Sequence, residues 1–150
     1  MKNILLLLIV LFSSCKKYDE GGKHYKARER LHGAWTLKEF TVDNADSLGV
    51  LNQCVLNNRK VEFFYKSDRN PYGNNALYIK LGSSPYCWEG ECYLTETNKN
   101  LEFYSSYGSA LFYPFCMDNQ KWEILKLTND EFKMSRISVN GKKYLLVLNK

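Results

Sequence analysis

Four of the five cysteines are the side chains best suited to carry chemistry in this sequence. As thiolates they could bind a metal ion, and as oxidised pairs they could form two disulfides. Structural zinc sites use closely spaced C-x-x-C pairs, a spacing that does not occur here. An even number of cysteines in an oxidising compartment favours disulfides. We therefore predict two disulfides and no metal site from the following residues: Cys54, Cys87, Cys92 and Cys116.

The spacing of Cys87 and Cys92 favours one pairing. A four-residue turn at residues 88–91 would place the two cysteines opposite each other on adjacent strands. Cross-strand Cα separations of about 4.5 to 5.5 Å suit a disulfide. Cys54 and Cys116 would then form the second bond. Connectivities in which Cys54 or Cys116 bonds to a cysteine of this hairpin remain open.

Other groups that could catalyse a reaction are few. The two histidines, His24 and His32, have no metal-binding spacing. Glu89 and Glu91 flank Gly90 and are interpreted as a solvated hairpin tip. No nucleophile elbow or phosphate-binding glycine loop occurs. We predict a protein that is not an enzyme and has no cofactor, although two carboxylates from distant strands, as in glycosidases, leave no sequence signature.

The first fifteen residues have the layout of a secretory signal. Lys2 precedes nine apolar residues, 4–12, which are too few to span a bilayer, since a helix needs about 20. Phe12-Ser13-Ser14-Cys15 resembles the lipobox of bacterial lipoproteins. The resemblance implies that Cys15 carries a diacylglycerol and that residues 1–14 are removed. The alternative is ordinary cleavage nearby, which would give a soluble secreted protein.

Three segments follow from this layout: the signal peptide 1–14, a basic tether 15–30 and one β domain 31–150. The tether carries six basic and three acidic side chains, and it is either a solvated spacer or attracted to anionic head groups. The net charge of +5 is a mild excess, and we expect no nucleic acid partner. A short helix is predicted over residues 24–31.

Short alternating segments separated by turn residues predict an all-β domain. Val61 and Phe63 alternate with Glu62, for example, which indicates a strand with one buried face and one solvent-exposed face. Strands are predicted at 35–42, 60–66, 76–81, 86–95, 101–105, 111–113, 121–127, 131–137 and 142–148.

The turns indicate how these strands connect. Asn140-Gly141 suits a type I′ hairpin, so consecutive strands are expected to pair as an antiparallel meander. Eight or nine such strands either stack as a sandwich or close into a barrel. Residues 43–58 are interpreted as a turn followed by a short helix or an irregular loop. The aromatic segment 104–115 either packs in the core or forms the mouth of a pocket.

A family resemblance is carried by Gly33 and Trp35 after a basic run, and by the hairpins around Asn140-Gly141 near the C-terminus. This pattern resembles the lipocalin-like lipoproteins of the Bacteroidetes. The resemblance covers residues 15–42 and 121–150 and implies a lipocalin-like antiparallel barrel or half-open sheet. Trp35 would then plug one end, and Arg136 would pack across its ring. The alternative for Arg136 is a strand end that reaches water.

Two functions are consistent with such a lipoprotein, which we expect at the outer membrane. In the first, the barrel binds a small apolar ligand among inward residues. In the second, the interior is fully packed and the protein acts through its surface in an envelope complex, since eight strands leave a barrel just wide enough to be filled by side chains. The predicted ligand-lining residues are Phe63, Tyr65, Leu77, Ile79 and Phe103.

Overall fold

The computed structural model describes residues 18–22, 27–51, 53–64, 76–82, 88–95, 97–104 and 121–150. These residues form two short α-helices, one 3₁₀ helix and nine strands. The elements are α1 Ala27–Leu31, β1 Gly33–Val42, β2 Ala45–Asp46, the 3₁₀ helix Leu48–Val50, α2 Gln53–Asn58, β3 Lys60–Phe64, β4 Ala76–Leu81, β5 Trp88–Leu94, β6 Asn100–Tyr104, β7 Lys121–Leu127, β8 Glu131–Ile137 and β9 Lys143–Asn149.

Eight of the strands close into an antiparallel barrel. Their order around the barrel is β1, β3, β4, β5, β6, β7, β8, β9, and β9 pairs back with β1. Strand β1 makes both contacts because it is long: residues 33–36 pair with β3, and residues 36–42 pair with β9. Strand β2 only extends β1 as a two-residue hairpin. Closure leaves no free sheet edge among these eight strands. The predicted antiparallel meander barrel is therefore confirmed.

Alternating side chains explain why the strands face as they do. In β3, Val61 and Phe63 are buried while Glu62 is half-exposed, and β4 buries Leu77, Ile79 and Leu81. In a strand, every second side chain points to the same face of the sheet. When one face is apolar, that face is buried inside the barrel and the other is exposed to water.

Two β-bulges interrupt this alternation. In β1, Leu37 is buried and the next buried residue is Phe40, because the pairing with β9 shifts between Leu37 and Glu39. In β7, Ile124 is buried and the next buried residue is Leu127, because the pairing with β8 shifts between Ile124 and Lys126. A bulge adds one residue to one strand and bends it, which helps a sheet curve into a barrel.

Element bounds agree with the sequence except in a few places. The helix predicted over 24–31 is described as Ala27–Leu31, and residues 43–58 contain the 3₁₀ helix and α2 rather than an irregular loop. The predicted strand 111–113 lies outside the described residues. The predicted type I′ turn is wrong, because Gly141 has φ +81° but Asn140 does not have positive φ, and a type I′ turn requires both.

The barrel has two distinct ends. The helix end holds α1, the β5–β6 turn at 95–99, the β7–β8 turn at 128–130 and Lys150. The loop end is opposite and holds residues 43–59 and the β8–β9 turn at 138–142. These two names are used below.

Candidate functional site

Trp35 closes the interior at the helix end. Its ring is 1% exposed, and its Nε1 donates a hydrogen bond to the Leu31 carbonyl at 2.7 Å. Gly33 lies between them with φ +112°, a left-handed conformation that glycine adopts without strain. The glycine thus allows the chain to turn sharply from α1 into β1, and this turn brings the indole under the last turn of the helix.

Lys150 covers the other side of Trp35. Its Nζ lies 4.7 Å from the ring centroid and donates hydrogen bonds to the carbonyls of Arg30 (3.1 Å) and His32 (3.2 Å). The Lys150 stem also passes Gly33, where a Cβ would lie 4.0 Å from Cε. A cation over an aromatic face is attracted by the ring quadrupole. Lys150 is therefore the basic residue that packs on Trp35.

Aromatic rings fill the interior next to Trp35. Phe132 meets Trp35 edge-to-face with centroids 5.9 Å apart, and Phe63 meets Phe132 in the same way at 6.0 Å. Of the predicted lining residues, the structure buries Phe63, Leu77, Ile79 and Phe103 completely, and Tyr65 lies outside the described residues. The described members are therefore buried, and their role as the lining of a ligand site stays a prediction.

Among the described residues, Arg136 is a buried charged side chain of the interior at the loop end. It shares the inward face of β8 with Phe132 and Met134 and is 3% exposed. Its guanidinium carbon lies 4.9 Å from the Tyr144 ring centroid and 5.6 Å from that of Trp122. Two aromatic faces therefore hold a cation within an apolar barrel, a geometry that strengthens when water is excluded.

The prediction that Arg136 packs across Trp35 is wrong. Strand β8 runs from the helix end to the loop end, since Glu131 pairs with Asn149 and Ile137 pairs with Lys143. Phe132 therefore reaches Trp35, and Arg136 lies four residues, or about 13 Å, farther along β8. The alternative, in which Arg136 reaches water at a strand end, is also wrong because the side chain is buried.

The described part of the N-terminal segment, residues 18–22, is attached to the barrel. Tyr18 is 3% exposed, and its hydroxyl donates to the Asn98 carbonyl at 3.1 Å in the β5–β6 turn. The Glu20 amide donates to the Leu125 carbonyl at 3.0 Å, and its carboxylate lies 2.7 Å from Lys133 Nζ. This part of the predicted tether therefore belongs to the folded domain.

Burial of Tyr18 also changes its ionisation. Loss of solvent around the ring raises the pKa of Tyr18 to about 12, and the nearby charge of Arg30 opposes this rise. Arg30 itself donates from Nη1 to the Leu127 carbonyl at 3.2 Å. The contact between the N-terminal segment and the barrel thus depends on a neutral phenol.

The predicted hairpin turn at residues 88–91 is wrong. Strand β5 runs unbroken through these positions, with Gly90 opposite Ile79 and Glu91 opposite Tyr78. Cys92 is fully buried between Leu77 of β4 and Phe103 of β6. Cys87 and Cys116 lie outside the described residues, as does the side chain of Cys54 in α2, so which cysteines pair stays a prediction, but the turn that favoured Cys87 with Cys92 is replaced by strand β5.

Three residues of these contacts could not be recognised from the sequence: Lys150, Tyr144 and Trp122. Lys150 gave no signal because it stands apart from any motif, and Tyr144 and Trp122 looked like ordinary strand residues. Among the described residues, no three His, Cys, Asp or Glu side chains come together as a metal site, and no helix is long and apolar enough to cross a membrane. His24 and most of residues 104–115 lie outside this description.

Fold and geometry together define a closed eight-stranded antiparallel barrel with one end sealed by a tryptophan. Comparison with protein-family models, curated proteins and solved structures finds no match to this chain.

Proposed function

We propose that this chain is a non-enzymatic, lipid-anchored protein of the cell envelope, at the outer membrane. The proposal is supported by the signal layout of residues 1–14 and by the resemblance of Phe12-Ser13-Ser14-Cys15 to a lipobox. Lipidation of Cys15 supplies the anchor. The folded domain begins by Tyr18, so the anchor and the barrel are close together in the chain.

The barrel in this proposal binds a small, largely apolar ligand in the half of its interior nearer the loop end. The observation that carries this is the buried guanidinium of Arg136 between Tyr144 and Trp122. Removing an ion from water costs several kcal/mol, so a core that only needed packing would be more stable with an apolar residue there. Ligand sites, in contrast, combine apolar walls with a few polar groups that orient the ligand.

The two halves of the barrel support this division of roles. At the helix end the rings of Trp35, Phe132 and Phe63 contact one another and Lys150 covers Trp35 from outside. That half is a packed core. At the loop end the interior presents a cation and two amphipathic aromatic side chains. We therefore assign ligand binding to the loop end.

Binding of 1-anilinonaphthalene-8-sulfonate, an apolar anion, tests the proposal. We expect saturable fluorescence enhancement with the mature protein and a roughly tenfold weaker affinity for Arg136→Met, because a hydrogen bond to a charged group contributes about 1.5 to 3 kcal/mol. Lys38→Met, on the exposed face of β1, is the matched control and should bind as the natural chain does.

Folding of each variant is checked by far-UV circular dichroism, and Arg136→Lys keeps the charge if Arg136→Met does not fold. Equal affinities for the natural chain, Arg136→Met and Lys38→Met would show that the dye binds elsewhere and would contradict the assignment of the site to the loop end.

A second function, protein interaction through the surface, is favoured by a different observation. In the part of the chain that the structure describes, three large apolar side chains are exposed at the loop end: Val50 (63%), Ile137 (64%) and Val139 (79%). Exposed aliphatic side chains at one end of a domain are typical of partner surfaces. Dye binding that is lost in Val139→Ser but retained in Arg136→Met would favour this second function.

A further inference from the structure

We propose that the helix end of the barrel is the surface that lies against the membrane, and that the loop end faces the aqueous compartment. This inference deepens the proposed function and rests on its lipid anchor at Cys15. The occupant of the surface is a lipid bilayer, and the argument comes from chain length, from the contacts of residues 18–22 and from charge.

The first step is the reach of the chain. Three peptide units separate Cys15 from Tyr18, so their Cα atoms are at most about 11 Å apart, whatever the conformation between them. Tyr18 cannot move away from the barrel freely, because its side chain is buried and its hydroxyl is bonded to the Asn98 carbonyl. The acylated cysteine is therefore held near the attachment point of Tyr18.

The second step is the position of that attachment point. Asn98 belongs to the β5–β6 turn, which is part of the helix end. Gly22 forms a parallel bridge with Leu127, the last residue of β7 before the β7–β8 turn, and a Cβ on Gly22 would lie only 2.6 Å from the Leu127 carbonyl oxygen. Residues 18–22 thus contact the β5–β6 turn and the last three residues of β7, where the Glu20 amide donates to the Leu125 carbonyl, and this holds the lipid anchor within about 11 Å of that part of the barrel.

The third step concerns the opposite end. Strand β9 connects the loop end to the helix end with seven residues, or about 20 Å along the strand. Strands in a barrel are inclined by about 35 to 45°, so the β8–β9 turn lies about 15 Å farther from the bilayer than the helix end. An anchor with a reach of about 11 Å cannot turn the loop end toward the same bilayer while Tyr18 stays bound.

Charge supports the helix end over the outer wall of the barrel as the membrane surface. Residues 16–30, which lead into this end, carry six basic and three acidic side chains, a balance that suits anionic head groups. On the wall, part of the charge is neutralised, as where Lys121 Nζ lies 4.0 Å from the Glu102 carboxylate.

One consequence follows for the proposed ligand site. Arg136 and the exposed side chains Val50, Ile137 and Val139 lie at the end that faces water. The barrel would then exchange its ligand with the aqueous compartment and not with the bilayer that anchors it.

Fluorescence energy transfer to lipids tests the orientation. The full-length lipoprotein is extracted with mild detergent and reconstituted into vesicles of phosphatidylethanolamine and phosphatidylglycerol that contain an acceptor-labelled lipid. A fluorescent amino acid replaces either Asn129, in the β7–β8 turn at the helix end, or Lys142, in the β8–β9 turn at the loop end. Both positions are exposed, and they are matched in that each lies in a turn between strands.

We expect stronger energy transfer from position 129 than from position 142. Transfer that is equal from the two positions, or stronger from 142, would overturn the orientation. Failure of the lipid anchor is detected separately, because a chain without a diacylglycerol on Cys15 shows no added acyl mass and does not float with the vesicles. Adding Tyr18→Ala to each labelled chain should reduce the difference between the two positions if the buried tyrosine sets the orientation.

Discussion

The ammonium group of Lys150 lies over the indole ring of Trp35, 4.7 Å from its centroid, and connects the residue after β9 to the first strand. The same Nζ donates to the Arg30 and His32 carbonyls at the end of α1. One side chain therefore joins the helix, the first strand and the last strand at the helix end.

Replacing Lys150 by Met should lower the free energy of unfolding by about 1 kcal/mol, because an exposed cation–π contact contributes about 0.5 to 1 kcal/mol and two hydrogen bonds are lost. Met keeps most of the apolar stem. The measurement is urea unfolding followed by tryptophan fluorescence. Lys142→Met, in an exposed turn, is the control and should have little effect. Equal effects of the two substitutions would contradict the contact.

Tyr18 predicts how stability depends on pH in the alkaline range. Burial raises its pKa from 10.0 to about 12, so the folded state favours the neutral phenol. The stabilisation is complete below pH 10 and is lost as the pH rises through about 12. We expect a loss on the order of 2 kcal/mol over this window from this group.

Tyr18→Phe isolates that contribution from the titration of other tyrosines and lysines. The variant loses the hydrogen bond to the Asn98 carbonyl and is less stable at pH 8, but its stability should fall less between pH 9 and pH 11.5. Urea midpoints at several pH values check this. Parallel curves for the two proteins would show that Tyr18 does not titrate as proposed.

Gly22 and Gly21 form a matched pair for the attachment of residues 18–22. Both have positive φ, +113° and +107°, so alanine strains the backbone at either position. Only at Gly22 would the new Cβ lie 2.6 Å from a backbone oxygen, that of Leu127; at Gly21 nothing lies within 4 Å. We expect Gly22→Ala to lose at least about 1 kcal/mol more than Gly21→Ala in urea unfolding. Similar losses would mean that residues 18–22 are not held against β7.

Strand β5 leads to a prediction about the disulfides. Its extended backbone places the Cα atoms of Trp88 and Cys92 about 13 Å apart, whereas a disulfide tolerates at most about 7 Å between cysteine Cα atoms. One peptide unit between Cys87 and Trp88 cannot close that gap. Peptide mapping of the unreduced protein is therefore expected to show no Cys87–Cys92 bond. Finding that bond would require β5 to be broken at residues 88–91.

The sequence allowed the barrel to be predicted because its strands alternate cleanly. The bounds of β4, β7 and β8 were predicted without error, since each is a run of alternating apolar residues flanked by polar turns. The two bulges were not predicted, because a bulge depends on the partner strand and not on local residue types. The expectation that Trp35 plugs one end came from the family resemblance carried by Gly33 and Trp35, and the structure buries this ring at the helix end.

The contacts between distant elements could not be predicted in the same way. Arg136 shares the inward face of β8 with Phe132 and Met134, but which inward residue reaches Trp35 depends on strand direction and register. Lys150 lies at the end of β9, where no periodicity distinguishes it. The prediction of a hairpin at residues 88–91 was wrong because Gly90 lies within strand β5. Its neighbours Glu89 and Glu91 pair with Lys80 and Tyr78 of β4.

We propose that the protein is a lipid-anchored barrel that carries a small ligand. Native mass spectrometry of the protein purified gently from its own membrane tests both parts of this proposal. We expect a chain that begins at Cys15 with a covalent acyl mass, together with a non-covalent mass of a few hundred daltons that leaves on unfolding. A chain with unmodified Cys15 would contradict the anchor, and a lipidated chain with no additional mass would contradict the ligand.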